Sequence, residues 1–98
     1  MKLIFSRRAQ ADIERIHRYL IARSPVGAAN VAAQMRSAIE FIAGNAEGAV
    51  RTDIPRIHAK WVRGYPYKIF YERSDDVITI LHVRHTSRRA AGAKGGLI

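Results

Sequence analysis

The chain has 98 residues, with 17 basic and 8 acidic side chains, a formal net charge of +9 and no cysteine. This length suits one domain with a single modest core, and a hydrophobic fraction of 48% is typical of a folded chain. The absence of cysteine excludes disulfide bonds and thiolate metal sites. The apolar run at the N-terminus is too short for a signal peptide, and no stretch approaches the ~18 apolar residues of a membrane span. We therefore expect a cytoplasmic protein.

The positive charge comes mostly from arginine, with 13 Arg against 4 Lys, and it is concentrated in the second half of the chain. Residues 1–49 carry 7 basic and 4 acidic side chains, whereas residues 50–98 carry 10 and 4. The planar guanidinium group binds phosphate and carboxylate in a bidentate manner. Composition leaves three interpretations open: a nucleic-acid target, an acidic protein partner, or a solvated basic surface.

The first half predicts a strand and then a helix. Residues 2–5 form a short apolar run, and the hydroxyl of Ser6 is suited to cap a helix that ends near Arg23. Apolar side chains recur at helical spacing at Ala9, Ile13, Ile16 and Leu20. The charged side chains fall mostly on the opposite, solvent side at Asp12, Glu14, Arg15 and Arg18.

A second helix is predicted to start at Ser24 and Pro25, because serine caps helices and proline suits the first helical position. Its apolar stripe comprises Ala28, Ala32, Met35, Ile39 and Ile42. Gly44 and Asn45 form a typical helix stop. Two helices separated by so short a break predict an antiparallel helical hairpin.

The second half predicts strands. Residues 45–60 are irregular and are expected to form a loop that enters a strand over residues 58–63, followed by a turn at Gly64, Tyr65 and Pro66. Residues 67–73 and 77–85 are rich in β-branched and aromatic side chains, and Ser74, Asp75 and Asp76 between them indicate a hairpin loop. Both strands have adjacent as well as alternate apolar residues, so we expect them to be central in the sheet.

Simple alternation along the last strand assigns its side chains to two faces. One face would carry Ile78, Ile80, His82 and Arg84. The other would carry Val77, Thr79, Leu81, Val83 and His85. His82 and His85 would then point to opposite faces and could not form a metal pair, so neither a metal nor another cofactor is expected.

The order of strand, helix, helix and three-stranded antiparallel meander predicts an α+β domain with the helices on one face of the sheet. We expect a single domain over residues 1–89 and a flexible C-terminal tail over residues 90–98, which contains three glycines.

Basic and aromatic side chains alternate around the first turn of the meander. The basic ones are Lys60, Arg63, Lys68 and Arg73, and the aromatic ones are Trp61, Tyr65, Tyr67 and Tyr71. Such interleaving can bind phosphates while stacking bases. The alternative is that the rings belong to the core and the charges are solvated.

Three segments in chain order resemble one family. They are Leu3-Ile4-Phe5-Ser6-Arg7-Arg8-Ala9-x-x-Asp12-Ile13, Tyr65-Pro66-Tyr67-Lys68-Ile69-Phe70-Tyr71, and residues 77–88 with the ending Val-x-His-x-x-Arg. Together they resemble the RelE/ParE superfamily of toxins from bacterial type II toxin–antitoxin modules, over residues 1–89. The resemblance implies a growth-inhibiting toxin held in a hetero-oligomer by a cognate antitoxin, whose C-terminal segment we expect to be acidic.

Members of this superfamily differ in target. RelE-like toxins cut mRNA on the ribosome without a metal, whereas ParE-like toxins poison DNA gyrase and are not nucleases. The RelE-like pattern commonly has Arg at the place of Lys68 and a basic residue near Thr86, and this chain has no clear catalytic tyrosine after Arg89. The resemblance therefore favours the ParE-like side. A ribonuclease and a non-toxic basic nucleic-acid-binding domain remain the alternatives.

The basic residues would have different roles under these alternatives. In a ribonuclease the phosphate would be stabilised by Arg63, Lys68, Arg84 and Arg88, and His85 would move a proton. Contacts with the target or the antitoxin are expected at Lys60, Trp61, Tyr71, Arg73, His82 and Arg89.

Overall fold

A computed structural model describes residues 2–44, 50–51, 56–74 and 76–86. The elements in chain order are β1 (Lys2–Phe5), α1 (Arg7–Arg23), α2 (Pro25–Gly44), β2 (Val50–Arg51), β3 (Ile57–Trp61), β4 (Tyr67–Ser74) and β5 (Val77–His85). The predicted α+β order is confirmed. The two-residue strand β2 falls where a loop was expected. The predicted tail at 90–98 lies outside the described residues.

The five strands form one sheet in the order β1-β5-β4-β3-β2. Strands β3, β4 and β5 form the predicted antiparallel meander, and β4 and β5 occupy the predicted central positions. Strand β1 adds to the meander by pairing parallel with β5, so that Leu3 lies opposite Ile78 and Phe5 opposite Ile80. Among the described residues no helix combines the length and the apolar character needed to cross a bilayer.

Both helices begin where their capping serines indicate. The Ser6 hydroxyl accepts a hydrogen bond of 3.0 Å from the Ala9 N–H and donates one of 2.7 Å to the Leu81 carbonyl of β5. The Ser24 hydroxyl accepts a hydrogen bond of 2.9 Å from the Gly27 N–H at the start of α2. Each cap satisfies an N–H group that the first turn of a helix leaves without a partner.

The core lies between the helical hairpin and one face of the sheet, which we call the helix face. Its fully buried strand residues are Tyr67, Ile69, Tyr71, Ile78, Ile80 and Val83. The helices contribute Ala9, Val31, Met35, Ala38 and Ile42, with the predicted Ile13, Ile16 and Leu20 packed beside them. Ala32 and Ile39 of the predicted stripe are only half-buried. The buried face of α2 is therefore rotated slightly about the helix axis relative to the predicted face.

Asp12 is buried, although the helical pattern placed it on the solvent side, and that prediction was wrong. Strand β1 pairs with β5 only as far as Ile80, so the edge of β5 beyond that point needs another partner. Helix α1 supplies it, because the Val83 N–H donates a 3.0 Å hydrogen bond to Asp12 Oδ2. Arg15 donates to the other carboxylate oxygen at 2.8 Å. The carboxylate thus attaches α1 to the sheet.

A β-bulge in β5 changes the face on which its last residues lie. Tyr71 of β4 lies opposite Ile80 and Phe70 lies opposite His82, so Leu81 is an extra residue with no partner across the pair. Directly opposed residues in an antiparallel pair share a face. His82 and Arg84 are therefore on the face opposite to Ile80, and the predicted grouping of these residues with Ile78 and Ile80 was wrong.

The turn from β3 to β4 requires glycine at one position. Gly64 has a φ of +83°, and an added Cβ would meet no atom within 4 Å, so the effect of a substitution there is backbone strain alone. We expect Gly64→Ala to lower the free energy of unfolding by about 1–2 kcal/mol in urea denaturation. Gly44→Ala is the control, since Gly44 also has open space but no positive φ. Equal effects of the two substitutions would contradict this explanation.

Candidate functional site

The face of the sheet opposite the helices, which we call the open face, carries a row of three functional candidates. Trp61 of β3 lies opposite Lys68 of β4, and Lys68 lies opposite Arg84 of β5. We call these three residues the open-face row. The Lys68 Nζ is 4.7 Å from the centroid of the Trp61 ring, which is 47% exposed. The sheet register thus brings together three residues that the sequence separates.

The neighbouring row on the open face is a stacked pair of rings. His82 lies opposite Phe70, and the two rings are stacked with 4.6 Å between centroids and 3° between planes. Burial lowers the pKa of His82 from its ordinary value, the charges of Arg8 and Arg84 lower it further, and Asp12 opposes them. The imidazole is therefore neutral at neutral pH. It supports the open-face row as a buried ring and offers little surface of its own.

The cations of the open-face row have no carboxylate partner among the described residues. The acidic side chain that β4 places on this face is Glu72, and it forms a 3.2 Å ion pair with Arg56. Lys68 and Arg84 are thus directly opposed like charges. Such cross-strand pairs destabilise a sheet, so their presence here needs an explanation other than folding.

His85 lies on the other side of the sheet. It is opposite Tyr67, with the two rings edge to face at 5.1 Å, and it lines a cleft of about 290 Å³ beside Arg15 and Tyr19 of α1. Because successive strand residues point to opposite faces, the imidazole is directed away from the guanidinium of Arg84. Among the described members of the predicted catalytic set, Lys68 and Arg84 thus lie on one face of the sheet and His85 on the other.

A second basic and aromatic surface lies between α2 and β3, and we call it the α2–β3 groove. It has a volume of about 470 Å³ and is lined by Gln34, Ser37, Ala38, Phe41, Lys60, Trp61 and Arg63. The Lys60 Nζ is 4.2 Å from the centroid of the Phe41 ring. Phe41 is exposed but was not among the predicted site residues, because an aromatic residue beside Ile42 on an apolar helix gives no separate signal. Trp61 belongs to both this groove and the open-face row.

The other predicted site residues lie elsewhere. Tyr71 has no exposed surface, stacks on His58 at 5.3 Å, and has its pKa raised by burial. Arg73 is half-buried near the end of β4, opposite Ile78. Arg88 and Arg89 lie outside the described residues. In this conformation Tyr71 offers no side-chain surface to a partner, whereas Lys60, Trp61, Arg63, Lys68 and Arg84 belong to one of the two surfaces.

Known proteins resemble this chain in sequence and in fold. The sequence model of the family described as "ParE toxin of type II toxin-antitoxin system, parDE" matches residues 3–90. Among solved structures, a chain from the "Chromosomal ParDE TA system from P. aeruginosa" is similar, with a TM-score of 0.76 over 88% of this chain and 96% of that chain. The two sequences are 17% identical, so this likeness concerns the fold alone. A comparison with curated proteins finds no significant match.

Proposed function

Because the chain belongs to the ParE toxin family of type II toxin–antitoxin systems, we propose that it inhibits growth by poisoning DNA gyrase and is neutralised by a cognate antitoxin. The observation that carries this proposal is the family match over residues 3–90, nearly the whole chain. This mode of action requires no metal or cofactor, and a gyrase target implies action in the cytoplasm.

The geometry of the basic residues supports a gyrase poison over a ribonuclease. Cleavage of RNA needs phosphate-binding cations and a proton-transferring group around the same phosphate. Lys68 and Arg84 lie on the open face, whereas His85 lies on the helix face against Tyr67. An imidazole directed to the other face is poorly placed to serve a phosphate bound by the two cations.

Thr86 also supports this choice. Its N–H donates a hydrogen bond of 2.8 Å to the Pro66 carbonyl, and its hydroxyl donates one of 3.3 Å to the same oxygen. Thr86 therefore ties the end of β5 to the turn before β4. RelE-like toxins often have a basic side chain at this position, whereas Thr86 has a structural role here.

The α2–β3 groove has the chemistry expected of an antitoxin-binding surface. Exposed rings at Phe41 and Trp61 lie beside the cations of Lys60 and Arg63. An acidic segment with alternating apolar residues would place its carboxylates on the cations and its apolar side chains on the rings. The net charge of +9 would also attract such a segment over a distance and favour a hetero-oligomer.

Gyrase assays with the purified protein test the proposal. We expect loss of supercoiling and accumulation of cleaved DNA trapped on gyrase, because poisons of this class act on the enzyme–DNA complex. Prior incubation with equimolar antitoxin is expected to restore supercoiling. Expression in cells should arrest growth while transcripts remain uncut. Unchanged gyrase activity together with cleavage of ribosome-bound mRNA would contradict the proposal and support the ribonuclease.

A further inference from the structure

We propose that the open-face row binds a single nucleic-acid strand, with the phosphodiester on Lys68 and Arg84 and a base on the exposed ring of Trp61. This is a direct contact between the chain and nucleic acid, which poisoning of gyrase does not require. It can therefore be tested without gyrase, and either proposal can fail while the other holds.

The opposed pair of cations favours an anionic ligand. Lys68 and Arg84 are register partners on β4 and β5, and neither has a carboxylate partner among the described residues. Like charges directly opposite each other weaken a sheet. Two neighbouring cations on one face are, however, well suited to bind a phosphate, because hydrogen bonds between charged groups are the strong ones. An anionic ligand would turn this unfavourable pair into a favourable one.

The β-bulge in β5 also favours a binding role for this row. If regular alternation continued from Ile80 through Leu81, Arg84 would lie on the helix face and His85 on the open face. The bulge reverses both, so that Arg84 comes to lie opposite Lys68 on the open face. Bulges that change the direction of a side chain are common beside functional sites, and this one creates the pair of cations.

The exposed ring beside the cations indicates the kind of anion. A nucleic-acid strand presents one phosphate per nucleotide together with a flat base, and every base can stack on an aromatic ring. The open-face row has the matching parts, since Trp61 is 47% exposed and Lys68 lies against its ring. The stacked pair of Phe70 and His82 forms the adjacent row and supports this one. An acidic peptide could satisfy the two cations and pack an apolar side chain on the ring, but a nucleic-acid strand presents a flat base beside every phosphate.

Fluorescence anisotropy with labelled oligonucleotides of about 15 nucleotides tests the proposal, using oligo(dT), oligo(rU) and a duplex of equal length. We expect Lys68→Gln and Arg84→Gln each to weaken single-strand binding about tenfold and to reduce the slope of log affinity against log salt by about 0.7. Trp61→Leu should weaken binding about tenfold with little change in the slope.

The matched controls are Arg18→Gln and Arg36→Gln, which remove one charge each from exposed positions on α1 and α2. These controls should lower affinity less than about twofold, because non-specific attraction is spread over many charges. Equal losses in controls and row variants would overturn the proposal, as would a clear preference for the duplex. Binding of either oligo(dT) or oligo(rU) supports it, and their ratio identifies DNA or RNA as the preferred ligand.

Two further measurements exclude trivial explanations. Lys68→Gln removes the opposed like charges, so its melting temperature should equal or exceed that of the wild type while its binding falls. A lower melting temperature with a parallel loss of binding would indicate damage to the fold and would contradict a binding role. Polyglutamate serves as the acidic-peptide probe. Loss of polyglutamate binding, but not of oligonucleotide binding, in the row variants would overturn the proposal in favour of a peptide site.

Discussion

Replacing Tyr71 with alanine is expected to lower the free energy of unfolding by about 3–5 kcal/mol, the range for removal of a large buried aromatic side chain. Tyr71 is 0% exposed, belongs to the core cluster, and stacks on His58 of the neighbouring strand. Domains are commonly stable by only about 5–15 kcal/mol, so the loss would be a large part of the total. Urea denaturation followed by tryptophan fluorescence of Trp61 measures it directly.

Two control variants separate the core role of Tyr71 from the interface role that the sequence suggested. Tyr71→Phe keeps the ring and should retain most of the stability. Tyr19→Ala removes a ring of the same type from an exposed position on α1, where the side chain is 47% exposed, and should cost about 1 kcal/mol or less. A Tyr71→Ala protein that unfolds like the wild type but no longer binds its antitoxin would contradict the core assignment.

The elements of the fold were predictable because their signals are local. Ser6 and Ser24 mark the helix starts by side-chain chemistry that involves residues three positions away. The hairpin of β4 and β5 follows from two β-branched, aromatic segments around a short polar turn, and the structure places both strands within a residue of the prediction. Such signals need no knowledge of distant parts of the chain.

The features that the sequence did not predict all depend on distant partners. The parallel pairing of β1 with β5 joins residues about 75 positions apart. The bulge at Leu81 has no glycine or proline to mark it, since a bulge of this kind suits most residues. The short strand β2 exists only through its pairing with His58 and Ala59 of β3.

The same limit applies to the candidate site. The sequence identified Trp61, Lys68 and Arg84 as functional candidates from residue type, and the sheet register brings these three together. It assigned Arg84 and His85 to one ribonuclease site although alternation along the strand already placed them on opposite faces, and the sheet does separate them. Chain neighbours on a strand are poor candidates for one site, and cross-strand partners are better ones.

Replacing Asp12 with alanine is expected to cost about 2–3 kcal/mol, because it leaves the buried Val83 N–H of β5 without an acceptor. The exposed ion pair between Asp12 and Arg15 adds little to the free energy of unfolding. The Arg15 side chain is 62% exposed, and ion pairs with such groups contribute at most about 1 kcal/mol. The lost backbone acceptor should therefore dominate the change in the free energy of unfolding, measured again in urea.

Asp12→Asn and Glu14→Ala complete the test and link it to the open face. The asparagine side chain keeps an acceptor oxygen for Val83 and should recover much of the loss, whereas Glu14 is exposed on α1 and its removal should have little effect.

Since the Asp12 charge raises the pKa of His82 against the effect of burial, Asp12→Asn should lower that pKa further, as followed by NMR titration. An Asp12→Ala protein as stable as Glu14→Ala would show that Val83 finds another acceptor. If the Asp12→Ala protein were as stable as the wild type, the bond from α1 to Val83 would not be what holds β5 in place next to Arg84. The bulge alone would then determine that Arg84 lies on the open face.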